Sequence, residues 1–143
     1  MDTVSSTQRS GKAMVIVTGF VLGGLAALMH VFIFYLESIA WESESARSLF
    51  RTGTVDDARA TKFVAFNQGF YNLFLAILVV LGIAIAAAGD KGTGATLTLA
   101  GTGIMLCAAL VLFISSRAHR SAATKQGIVP FLSVIALTVG LVL

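Results

Sequence analysis

A histidine and a glutamate interrupt an apolar run of helix length, Met29-His30-Val31-Phe32-Ile33-Phe34-Tyr35-Leu36-Glu37. An imidazole can relay protons or ligate a metal, and a carboxylate can serve as acid, base or counter-ion. From Ala13 to Leu36 the chain holds no Asp, Glu, Lys or Arg. That is long enough for a bilayer core, which takes about 20 apolar residues in a helix. At such depth an ionisable side chain is costly unless it faces a partner or a cavity. His30 and Glu37 stand seven residues apart, two helical turns, so this spacing puts them on one face. Glu37 is the expected acid or base there, with His30 assisting or orienting it.

A second polar constellation lies in Phe66-Asn67-Gln68-Gly69-Phe70-Tyr71-Asn72-Leu73. Amide and phenol groups in lipid are costly unless hydrogen-bonded or solvated. Asn67 and Tyr71 are one turn apart, as are Gln68 and Asn72, which predicts a broad polar stripe on one helix. Trp41, Gln126, Ser115 and Ser116 fall at the same level of their own segments. The expected site is therefore a pocket near the cytoplasmic leaflet. His30 and Glu37 supply its chemistry, and Trp41, Asn67, Gln68, Tyr71, Asn72 and Gln126 contact a ligand. The alternative is structural: Asn and Gln also join membrane helices, at about 0.6 to 2 kcal/mol per bond. Glu37 could likewise reach interfacial water and pair with Arg47 or Arg117.

The elements that must position these residues follow from composition. Of 143 residues, 57% are hydrophobic and 12% charged, with a mean hydropathy of +0.90; soluble domains carry about 25% charged residues. Apolar stretches predict four spans at about 13–40, 63–89, 92–116 and 126–143, the last being the shortest. Continuous rather than alternating apolarity excludes a barrel. The fold class is thus all-α, an integral membrane four-helix bundle forming a single transmembrane domain over residues 1–143. The first connection has helix formers, a Glu44/Arg47 pair at i,i+3 and a capping box from Thr54 to Asp57. These predict that the first two helices extend into a cytoplasmic hairpin. Asp90 to Gly94 forms a tight turn, and Ser115 to Lys125 a small polar connection.

Seven Lys and Arg lie in the first and third connections (Arg47, Arg51, Arg59, Lys62, Arg117, Arg120, Lys125), against Arg9, Lys12 and Lys91 elsewhere. The positive-inside rule then puts those connections in the cytoplasm and both termini outside, in a multi-pass inner (plasma) membrane protein. It also accounts for the net charge of +3 without nucleic acid. Arg9 and Lys12 before an apolar run resemble a signal peptide. The run is too long for one, so a retained span is expected. Cys107 is read as a small core residue, and His119 as a solvated loop residue that would join the site if span three ended near Glu37. Gly19, Gly23 and Ala27 form a small-xxx-small stripe for close packing, within or between subunits. Gly92-Thr93-Gly94 and Gly101-Thr102-Gly103 lack the strand a phosphate loop needs. A metal would need three or four ligands, and His30, Glu37 and distant His119 do not make a set; haem would need only His30. No cofactor is assigned. Gln68-Gly69-Phe70 and Gln126-Gly127-Ile128 hint at a repeat of helix pairs.

These three motifs together resemble a family of small bacterial membrane proteins called "domain of unknown function thirteen-oh-four". The likeness covers nearly the whole chain in the same order and similar spacing. The family's first motif would correspond to His30, Tyr35 and Glu37, and its second to Asn67, Gln68, Gly69, Tyr71 and Asn72. Its Gln-Gly-x-x-Pro would be Gln126, Gly127 and Pro130, where the family more often has a shorter gap before the proline. The resemblance implies four spans and no particular activity. Three functions fit the residues. One is a pocket for a small or lipid-like ligand in a homo-oligomer, with the lipid bilayer as its other partner. Another is a small proton-coupled exporter working as a dimer. The third is a non-catalytic subunit of a membrane complex.

Overall fold

The computed structural model describes the backbone of residues 2–143 and the side chains of residues 6–143. Five helices follow in order: α1 (Asp2–Phe34), α2 (Glu44–Phe50), α3 (Val55–Ala87), α4 (Lys91–Ser115) and α5 (Arg120–Val142). A π-helical turn, Tyr35–Ile39, prolongs α1, and a 3-10 turn, Arg117–His119, precedes α5. All but α2 belong to segments long and apolar enough to cross a membrane: Ser6–Ile39, Val55–Ala87, Lys91–Ser115 and Arg117–Val142. The chain is a multi-pass membrane protein built as a four-helix bundle. Helix α1 packs on α3 and α5, and α4 packs on the same two, so α1 and α4 lie on a diagonal.

Hydrocarbon is as apolar as leucine, so helices in a membrane associate through close packing and interhelical hydrogen bonds rather than by hiding large side chains. The interior follows that rule. It is made of Ala26, Ala27, Ala76, Ala95, Ala109, Thr98, Thr102 and Ser133, with Val79, Met105 and Leu137 as its larger members. The Ser133 hydroxyl donates to the Gly19 carbonyl across 2.8 Å and ties α5 to α1. Thr98 and Thr102 donate to Gly94 and Thr98 carbonyls on their own helix. A methyl on Gly19 would meet the Leu137 backbone nitrogen at 2.9 Å, and one on Gly23 would meet Thr98 at 2.9 Å. The small-residue stripe of α1 is therefore used inside the chain.

Several boundaries differ from the sequence reading. The connection after span three is shorter than expected, because residues 120–125 already form the first turns of α5. Ala122 and Ala123 favour that, and span four gains length from it. The hairpin does not continue α1. The chain breaks at Ala40, and Ser43 caps a separate α2 by accepting from the Ala46 amide. Arg47 donates to the carbonyls of Glu42 and Gly53 rather than pairing with Glu44. Glu42 instead collects Lys62 at 2.8 Å and Arg59 at 3.2 Å. The hydrogen bond from Lys62 leads the effects that hold the Glu42 carboxyl below its ordinary range. The Thr54–Asp57 capping box forms in full. Cys107 lies exposed on the bilayer-facing side of α4 and not in the core.

Candidate functional site

Glu37 lies in the π-helical turn, where the Ala40 amide donates back to the Tyr35 carbonyl, five residues earlier, at 2.9 Å. Such turns widen the helix by one residue and re-aim the side chains they carry. Two contacts hold this one against α3. The Ser38 hydroxyl donates to the Phe66 carbonyl at 2.9 Å. Below it lies Gly69, where an added methyl would collide with Ser38 Oγ and stand 3.1 Å from Glu37 Cβ. Only glycine lets the two backbones come this close. Phe34 meets Phe70 edge to face at 5.1 Å beside the same contact.

So placed, Glu37 is buried and accepts a hydrogen bond from Asn72 Nδ2 at 2.9 Å. The same Asn72 nitrogen also donates to the Gln68 carbonyl at 3.1 Å, which fixes the amide and leaves its oxygen as an acceptor. Glu37, Gln68, Tyr71, Asn72, Gln126 and Trp41 all line one groove of about 860 Å³. Its remaining wall is apolar, from Ile33, Phe50, Phe74, Leu75, Leu78, Ile104, Ala108, Leu112 and Ala122, and His119 completes it. Tyr71, Phe74 and Ile104 are 69%, 57% and 52% exposed. The groove therefore opens sideways between α3 and α4, toward the bilayer. Pro130 bears no amide hydrogen, so the Gln126 carbonyl lacks its usual i+4 donor at the groove wall.

The hairpin closes one end. Trp41 Nε1–H donates to the Ala58 carbonyl at 2.9 Å, and its ring lies 5.2 Å from that of Phe50. His119 Nε2–H donates to the Phe50 carbonyl at 3.2 Å, while Nδ1 accepts from the Ser116 hydroxyl at 2.7 Å. Carbonyls only accept, so these partners set the tautomer. Residues 69 apart are joined by this imidazole, and the first and third connections thereby share one end of the bundle.

Two expected members sit elsewhere. His30, 2% exposed, is not on the groove, and its Nδ1–H donates to the Ala26 carbonyl at 2.9 Å. The π-turn changes the register between it and Glu37, and no hydrogen bond joins the two. Asn67 donates to the Phe63 carbonyl of its own helix at 2.8 Å and also stays off the groove. Phe50 and Phe74 are groove residues that the motif reading passed over, and His119, expected as a solvated loop residue that would join the site only if span three ended near Glu37, lines the groove too. For His119, the available signal was Ser116 three residues before it, in a connection that topology puts beside the hairpin. A second groove, of about 440 Å³ between α1 and α3 at the opposite end, is apolar but for Lys91.

Residues 24–138 match the family model described as "Protein of unknown function (DUF1304)". No curated protein and no solved structure matches the chain.

Proposed function

The chain belongs to the DUF1304 family of proteins of unknown function, and from that premise we propose that its groove binds a small or lipid-like amphiphile entering sideways from the cytoplasmic leaflet. One observation carries this reading: the buried Glu37 faces a groove whose rim residues Tyr71, Phe74 and Ile104 are exposed toward lipid. Small-molecule sites combine an apolar wall with a few fixed polar groups. Here Glu37, Gln68, Asn72 and Gln126 would orient the head, Tyr71 and Trp41 would flank it, and the leucine-lined wall would take the tail. In this reading His30 and Asn67 brace α1 and α3 rather than touch the ligand.

Trp41 is the chain's only tryptophan and lines the groove, so its fluorescence reports occupancy. A brominated fatty alcohol added to the protein in nanodiscs should quench Trp41 with saturation. Ala108 lines the groove and is exposed, so Ala108→Phe fills the space without crowding the core. That variant should weaken the saturable quenching by about tenfold or more, a change of at least about 1.4 kcal/mol. Quenching that rises linearly and equally in both proteins would mean partition into the bilayer alone, and would end the groove reading.

We orient the hairpin end toward the cytoplasm, with both termini outside, since seven of ten Lys and Arg lie at that end. In a Cys107→Ala background, a cysteine at position 48 should react with an impermeant maleimide only in opened cells, and one at position 93 in intact cells. The reverse pattern would move the groove to the outer leaflet.

A further inference from the structure

The side chains around the groove also bear on the head its ligand carries. Among the described residues, Glu37 is the only carboxylate lining it, and no Lys or Arg lines it. Its one imidazole, His119, has both nitrogens engaged, with Ser116 and the Phe50 carbonyl. Of the seven basic side chains at this end, Arg51, Arg117 and Lys125 stay off the groove wall and the other four turn to partners elsewhere. Arg59 and Lys62 pair with Glu42, Arg47 donates to two carbonyls, and Arg120 stacks over Phe113 at 5.0 Å. Asn72 occupies one acceptor position on Glu37, and a carboxylate offers about four. A donor-bearing head can therefore still be received there.

Four aromatic side chains share the wall with that carboxylate: Trp41, Phe50, Tyr71 and Phe74. Aromatic faces attract cations, most strongly where water is excluded, and clusters of them recognise quaternary ammonium groups. An anionic head would instead meet a carboxylate with no cation beside it, in a setting of low dielectric. We propose that the groove selects alkylammonium amphiphiles, long-chain amines or quaternary ammonium compounds, over fatty acids and phosphate-headed lipids. This inference rests on the groove reading above and adds the chemistry of the head to it.

The test compares two brominated probes of equal chain length, an alkyltrimethylammonium and an alkanoate, by quenching of Trp41 in the full-length protein in uncharged nanodiscs. The ammonium is expected to bind about tenfold tighter. Glu37→Gln keeps the shape and an acceptor for Asn72 while removing the charge, and it should bring the two probes to within about twofold of each other. Phe74 is exposed at the rim, so Phe74→Leu preserves the fold. It should weaken the ammonium probe by about threefold, the size of one partly solvated cation–π contact, and leave the alkanoate unchanged. Equal or tighter binding of the alkanoate overturns the head-group inference, as does a preference that survives both substitutions. Saturable quenching would in those cases still uphold the groove. Absence of saturable quenching by either probe removes the groove reading and this inference together.

Discussion

Alanine in place of Trp41 is expected to lower the stability of the purified protein by about 3 kcal/mol and to release α2 from the bundle. Truncating a buried tryptophan costs about 3–5 kcal/mol, and the low end applies because the neighbouring groove lets lipid or water fill part of the space. Trp41 is 8% exposed and packs with Ala58, Ala65 and Phe50. Its Nε1–H is tied to the Ala58 carbonyl and reaches Thr61 Oγ1 at 3.3 Å. Trp41→Phe is the milder change, since it keeps one aromatic ring while losing the indole donor and the packing of the fused second ring. The Ala58 carbonyl retains a bond from the Thr61 hydroxyl, so that variant should cost about 1–2 kcal/mol, less than Trp41→Ala. Denaturant unfolding measures both changes, and hydrogen exchange of the amides in α2 locates them. A tryptophan that merely marked the bilayer surface would leave α2 protection unchanged in Trp41→Ala. Such a result would remove the hairpin from the groove's end wall.

Gly94→Ala should destabilise the bundle by about 2 kcal/mol, while Gly103→Ala in the same helix should stabilise it by up to about 1 kcal/mol. In isolation both exchanges favour helix by about 1 kcal/mol. A methyl at Gly94 would stand 2.5 Å from Ala86 Cβ and 2.6 Å from both the Ala86 nitrogen and the Gly82 carbonyl oxygen. Two of these obstacles are backbone and cannot rotate away, so α3 and α4 must separate. Overpacking of this kind costs about 1–3 kcal/mol and at times more. At Gly103 the methyl would meet nothing within 4 Å, and only the gain in helix propensity remains. Thermal unfolding of the two variants in one detergent gives the comparison. Equal shifts of the same sign would mean that α3 and α4 do not touch at Gly82 and Gly94. That contact holds α4 against α3 near their shared turn, at the end of the bundle away from the groove.

Much of this architecture was legible in the residues. The charge-free stretches marked all four spans, and Thr54 with Asp57 announced the start of α3 through a local bond pattern that forms as expected. The three polar motifs identified Glu37, Gln68, Tyr71, Asn72 and Gln126, which do line one groove. They stand out in sequence because amides and carboxylates are rare at membrane depth and must be satisfied there.

What the residues left undecided has a common physical origin. In water, hydrophobicity distinguishes the inner face of a helix from the outer one; in lipid both faces are apolar, so Cys107 read as core turned out to face the bilayer. The interior is chosen by small residues that allow contact, and which glycine meets which helix, as Gly82 meets Gly94 and Gly69 meets Ser38, depends on the tertiary arrangement. The same holds for register and reach. One π-helical turn took Glu37 out of the even spacing that linked it to His30, and Asn67 satisfied its amide on its own helix instead of in the groove. His119 gained its partner at Phe50 only because two distant connections fold to one end. The sequence by itself determined a four-span bundle and the chemical groups available at one level of it. Only the tertiary structure decided which of those groups face a common space, because that choice rests on backbone contacts between helices that no local pattern encodes.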